Sequence, residues 1–145
     1  MNLLNHRFFT YFSDTGAKSL AEYTEEFTLN PDTVLFQEGD PAEHVILVLD
    51  GKVELIKKLD GGKEVNITTV EPGDYFGEWG VLDEQPRSTH AICSGITRVA
   101  KIPGPSLLRI LHQEPAYVTL QMLRTILKHL RRSNERFVEA MLKKS

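Results

Sequence analysis

The sequence predicts an α+β fold: an antiparallel β-roll, jelly-roll-like with about eight strands, with N-terminal helices before it and a C-terminal helix pair after it. One member of that pair is long. Three observations predict this. Short runs rich in Val, Ile, Leu and Thr recur between residues 33 and 102, separated by turn residues. On both flanks that pattern gives way to helical spacing. No Gly-, Ser- or Pro-rich linker divides the chain, and its 145 residues suffice for a single core.

Residues 2–12 read as a short helical extension, with Leu3, Leu4, Phe8, Phe9 and Phe12 clustered on one side. Residues 1–15 are therefore set apart from a main domain over 16–145. Ser13 and Asp14 can cap a second helix over about 16–26, ending near Phe27. Strands follow at 33–36, 44–49, 52–58, 63–70, 90–93 and 97–102. The turns between them are Glu38-Gly39-Asp40-Pro41, Asp50-Gly51, Asp60-Gly61-Gly62 and Glu71-Pro72-Gly73-Asp74. Pro103-Gly104-Pro105 then breaks the chain, Ser106 caps a helix through His112, and Pro115 opens a long helix running to about 143.

Composition narrows the function. The formal net charge of −3 lacks the basic footprint of a nucleic-acid binder. Cys93 is the single cysteine, so there is no internal disulfide and no four-thiolate metal site; a reducing, cytoplasmic location is expected. The five histidines show no metal-ligand spacing. Neither a Gly-x-Ser-x-Gly nucleophile motif nor a Walker loop is present. No enzyme activity, metal or cofactor is expected. No apolar run approaches the ~20 residues that span a bilayer, so no membrane partner is expected either.

The chemistry concentrates in residues 76–89. Gly77 lets backbone approach a ligand closely. Residues 78–83 fit one helical turn whose free N–H groups would face an anion. Arg87 can pair two phosphate oxygens in plane. A carboxylate beside a phosphate is repelled, so Glu78 must take a different part of any ligand; as an acceptor it suits a sugar hydroxyl. Ser88 adds a hydroxyl. Together these imply a ribose phosphate. Spacing alone fits equally well a surface ion pair of Glu78 with Arg87 and glycines that only make turns.

The segment Phe76-Gly77-Glu78 to Pro86-Arg87-Ser88-Thr89 resembles the phosphate-binding cassette of cyclic nucleotide-binding domains, as in the bacterial catabolite activator and the regulatory subunits of protein kinase A. Val34 to Asp40, His44 to Val53 and Glu71 to Glu78 resemble the family's other motifs, and the similarity spans roughly 16–143. The resemblance implies a cyclic nucleotide as ligand, cyclic AMP slightly ahead of cyclic GMP. It places Glu78 on the ribose 2′-hydroxyl and Arg87 on the cyclic phosphate. Gly77, Ser88 and Thr89 assist, and Val53 and Ile67 stand as walls beside the base. By the same resemblance, Ser133 and Asn134 on the long helix stand where the catabolite activator reaches the base from two subunits. Trp79 departs from the aliphatic residue usual in the cassette.

Along the last helix, Leu120, Leu123, Leu127, Leu130, Asn134, Phe137 and Met141 repeat at alternating spacings. That stripe, with Asn134 at an a position, predicts a parallel homodimer. Tyr117, Met122, Ile126 and Val138 form a second apolar side, expected to pack on the roll. The expected function is a regulatory module that turns ligand binding into movement of this helix, with a possible effector protein in trans. Two alternatives remain. One is the sensor part of a transcription regulator, since the chain reaches Ser145 without a helix-turn-helix. The other is a non-binding domain of the same fold that serves interaction.

Overall fold

The computed structural model describes residues 1–143; Lys144 and Ser145, inside the expected domain boundary, lie outside the described residues. Eight strands form two four-stranded sheets among those residues. The first sheet runs β1 (Glu25–Leu29), β8 (Thr97–Pro103), β3 (His44–Asp50), β6 (Tyr75–Phe76). The second runs β2 (Val34–Phe36), β7 (His90–Cys93), β4 (Val53–Lys58), β5 (Glu64–Val70). Every pairing is antiparallel. The helices are α1 (Asp14–Glu22), α2 (Glu78–Asp83), α3 (Gly104–Gln113) and α4 (Ala116–Lys143). The expected roll with flanking helices is the observed architecture.

Strand β3 shows why the roll and the helices form one body. Its side chains alternate between two cores. Val45, Leu47 and Leu49 join Phe8, Leu20, Leu107 and Val118 under the helices. Ile46 and Val48 join Val53, Phe76, Ala91 and Val99 inside the roll. Both faces are covered, so the strand reads as an unbroken apolar run rather than an alternating one.

Several boundaries move. The helix expected over 16–26 ends at Glu22, and Glu25–Leu29 become β1, paired to β8 with Phe27 opposite Val99. Local helix propensity of the Glu-rich segment loses to edge pairing of Phe27 and Leu29. Residues 2–12 form two 3-10 turns, Leu3–Asn5 and Arg7–Tyr11, broken at His6. The side chains of Asn2 and His6 each accept an amide hydrogen bond and restart the chain, which favours tight turns over one helix. Phe8, Phe9 and Phe12 are buried as the pattern requires, whereas Leu4 is half exposed. Ser106 lies inside α3 rather than capping it, because the helix already begins at Gly104.

Helix α4 anchors to the body through two residues one turn apart, Val118 and Met122. Tyr117 and Val138, expected against the roll, are 55% and 54% exposed. Farther along the helix Leu127, Leu130, Phe137 and Met141 are likewise exposed. Met122→Ala should therefore cost roughly 2–5 kcal/mol by opening a cavity at one of the two residues that anchor α4. Urea unfolding of the variant beside the parent checks this.

Candidate functional site

The site is built around Arg87, which is buried although its neighbours Pro86 and Ser88 are exposed. Backbone fixes it first. The Arg87 amide donates to the Asp40 carbonyl, and the Arg87 carbonyl accepts from the Gly39 amide, both at 2.8 Å. This clamps the cassette to the turn after β2. The guanidinium then turns inward. Nη1 donates to the Gly77 carbonyl at 2.8 Å and Nη2 to the His44 carbonyl. The plane lies 4.2 Å over the Phe36 ring, a stabilising arrangement for a cation out of water. Nε is buried and has no hydrogen-bond partner. Burial pulls the Arg87 pKa down, and Glu78, Asp40 and Glu43 partly offset this.

Gly77 makes the inward turn possible. It caps α2 in the left-handed region at φ 84°, and a Cβ there would run into Nη1 of Arg87. Both requirements exclude a side chain. Glu78, the first residue of α2, is likewise buried. Burial pushes its carboxyl up to about 7, while its own backbone N–H, the Arg87 charge and Trp79 act in the opposite direction. The guanidinium thus bonds carbonyls rather than this carboxyl, although the two charges attract, and the acid has its protonation midpoint at about 7. The surface-ion-pair reading does not describe this pair.

The other expected residues divide. Val53 is fully buried in the roll core. Thr89 is half-buried and Ser88 exposed, and the Ser88 carbonyl accepts from Lys57 Nζ at 3.1 Å. Ile67 sits at the irregularity in the β4–β5 pairing and is 54% exposed. Ser133 and Asn134 lie on the exposed outer half of α4, not beside Arg87 within this one chain. A cavity of about 160 Å³ adjoins Arg87 on the side of Phe36, Asp40, Glu43, His44 and Lys101. Sequence reasoning missed the roles of His44 and Phe36. A main-chain carbonyl carries no sequence signal, and ring stacking depends on the register of β2 on β7. Among the described residues no cluster of His, Cys, Asp or Glu is arranged to hold a metal, and no helix is long and apolar enough to cross a membrane.

Comparisons with known proteins agree on this architecture. A family model described as the cyclic nucleotide-binding domain matches residues 26–114. The chain is similar to a CRP-like cAMP-activated global transcriptional regulator of Mycobacterium tuberculosis, 28% identical over 105 residues, 72% of this chain and 46% of that protein. It is also similar to the cyclic AMP receptor protein of Thermus thermophilus, 32% identical over 81 residues, 56% of this chain and 38% of that protein. The chain thus spans less than half the length of these two relatives. Among solved structures, the sensor domain of the transcriptional regulator DNR from Pseudomonas aeruginosa superposes with a TM-score of 0.80 at 19% identity, covering 92% of this chain and 89% of that one. That similarity shows the fold.

The buried acid sets a pH dependence whose sign follows from its raised pKa. The folded chain holds a proton on Glu78 that the unfolded chain releases near pH 4.5. The contribution of Glu78 to stability is therefore complete below about pH 4.5 and lost as pH rises toward about 7. Denaturant unfolding at a series of pH values should show it as a difference: relative to Glu78→Gln, the parent should lose stability as pH rises from about 4.5 to about 7.

Proposed function

Because the chain belongs to the cyclic nucleotide-binding domain family, we propose that it is a cyclic nucleotide sensor whose ligand, cyclic AMP in preference to cyclic GMP, repositions helix α4. The observation that carries this is the state of Arg87. A buried cation with an unpaired Nε, its Nη groups on neutral carbonyls, gains a great deal from an anion. The cyclic phosphate takes that place. Glu78 supplies the complementary half: ionised, it accepts from the ribose 2′-hydroxyl. Val53 stands at the wall of the roll, with Ser88 and Thr89 following Arg87 at the phosphate end. The names of the two relatives, one cAMP-activated and one a cyclic AMP receptor, support cyclic AMP as the ligand.

Motion follows from what Arg87 holds. Its Nη2 bond to the His44 carbonyl lies one residue from the Glu43 carbonyl, which accepts the amide of Gly104 at the start of α3. Drawing the guanidinium toward a phosphate loosens the strand end that seats α3. A cleft of about 400 Å³ between α2 and α3, lined by Pro41, Val81, Pro86 and Leu108, leaves room for the shift. Ligand then favours whichever α3–α4 position it binds better.

The exposed stripe on α4 supports a homodimer. Leu120, Leu123, Leu127, Leu130, Phe137 and Met141 are each 40–66% exposed. Parallel pairing brings Asn134 to its twin and covers these residues. It also carries Ser133 and Asn134 of a second copy toward the base end of the pocket. An effector protein in trans, or a DNA-binding segment elsewhere in a longer protein, would read the movement. The protein acts in the cytoplasm and is not itself an enzyme.

Calorimetry with cyclic AMP and cyclic GMP tests the ligand. Measurable heat with the parent and roughly 10- to 100-fold weaker binding for Arg87→Ala are expected, from a charged hydrogen bond worth ~1.5–3 kcal/mol. No heat with either nucleotide at millimolar concentration sinks the sensor and leaves an interaction domain. Affinity should rise about tenfold between pH 6 and 8 as Glu78 ionises, with proton release on binding. Sedimentation equilibrium tests the dimer. The parent should weigh twice its 16.4 kDa, and Leu127→Glu should be monomeric; a monomeric parent removes the pairing.

A further inference from the structure

His6 is fully buried and belongs to no part of the ligand site. It occupies the break between the two N-terminal 3-10 turns, with extended backbone at φ −67° and ψ 140°. Both ring nitrogens are engaged. Nδ1 faces the Phe8 amide at 3.1 Å, and Nε2 faces the Asp74 carbonyl at 3.1 Å. An amide N–H only donates and a carbonyl only accepts, so the ring must be neutral with its proton on Nε2.

Around this ring, three further ties fasten the same segment to the same two residues. Arg7 pairs with the Asp74 carboxylate at 2.8 Å. The hydroxyls of Tyr11 and Tyr75 lie 2.7 Å apart. The Phe8 and Tyr75 rings meet edge to face at 4.9 Å. Asp74 and Tyr75 are the entry to the cassette: Tyr75 pairs with Leu47 of β3, Phe76 with Ile46, and Gly77 and Glu78 come next. The N-terminal dozen residues are thus strapped onto the piece of chain that sets where Gly77 and Glu78 stand.

We infer that His6 is a proton-operated clasp, a positioning residue that fixes the Arg7–Tyr11 turn on Asp74–Tyr75 while neutral and loosens it when protonated. A second ring proton at Nδ1 would face the Phe8 N–H, donor against donor, and remove the cap of the second turn. The charged groups acting on the ring are Arg7 and Asp74, and β3 presents the Val48 backbone; Tyr11 and Tyr75, the titratable pair of the same strap, bond each other. Asp74 is engaged by Arg7, and burial pushes the Tyr75 phenol up, so neither offers the imidazolium a free counter-charge. Burial foremost, with Arg7, keeps the His6 pKa below its ordinary 6.5 against the opposing pull of Asp74. The unfolded chain takes the proton first. The clasp is therefore complete above about pH 6.5 and is lost as pH falls below it. Its effect on ligand affinity rests on the nucleotide reading above; the clasp itself does not.

Amide hydrogen exchange on the full chain tests it, with protection corrected for intrinsic rates. Protection of the Phe8, Phe9 and Phe12 amides should fall between pH 8 and pH 5 in the parent. His6→Asn, which keeps an acceptor for the Phe8 amide, and His6→Gln, which keeps a donor for the Asp74 carbonyl, cannot take up that proton; each should leave protection independent of pH. Unchanged pH dependence in both variants, or flat protection in the parent, overturns the clasp. Should the variants fail to fold, the parent decides alone: the His6 ring titration followed by NMR must coincide with the loss of Phe8 protection, and titration without that loss overturns it. Cyclic AMP affinity adds the coupling to the site. The ratio of parent to His6→Asn cancels the Glu78 titration and should fall severalfold toward pH 5; a constant ratio overturns the coupling to the cassette. A parent that binds no nucleotide at any pH defeats the ligand reading, and exchange still decides the clasp.

Discussion

A guanidinium buried inside a β-roll is the constraint on which this structure turns. Taking such a charge out of water costs several kcal/mol unless donors find acceptors and the plane finds a polarisable surface. Arg87 meets that demand with the Gly77 and His44 carbonyls and the Phe36 ring. Each partner belongs to a different part of the molecule: cassette, first sheet and second sheet. The arginine therefore joins the two sheets to the cassette, and displacing it disturbs all three together.

The same economy explains the division of labour along the chain. The interior of the roll is apolar and closed by Ile46, Val48, Val53 and Val99, which leaves its polar chemistry to the cassette end. The helices cover the outer face of the first sheet through a second core. Helix α4 shares in that core only with Val118 and Met122. The proposed ligand response uses this arrangement: a long helix held at two side chains, next to α3, whose first amide is seated on the Glu43 carbonyl.

Much of this could be read from residues alone, and the exceptions have physical causes. The turn signals and β-branched runs located six strands because glycine-rich turns and apolar periodicity are local properties. Strand β1 was hidden, since Glu25 and Glu26 favour a helix until Val99 supplies the opposite edge. Strand β6 was hidden because two residues carry no period. In the cassette, Gly77, Glu78 and Arg87 stood out by chemistry; the structure buries Glu78 and Arg87 and sets the half-buried Gly77 against the Arg87 guanidinium. What remained illegible was relational. The acceptance of Arg87 by a carbonyl at His44, 43 residues earlier, and the anchoring of α4 by Val118 rather than Tyr117, both follow from tertiary register that no window of sequence contains.

The close approach between Gly77 and the Arg87 side chain couples the two positions. The volume that any β-carbon would need at position 77 is already filled by the guanidinium. Removing the arginine opens that volume, yet the left-handed φ of 84° still disfavours a side chain at 77; replacing the glycine while the arginine is present adds a collision with the cation to that strain. Substitutions at the two positions are therefore expected to be non-additive.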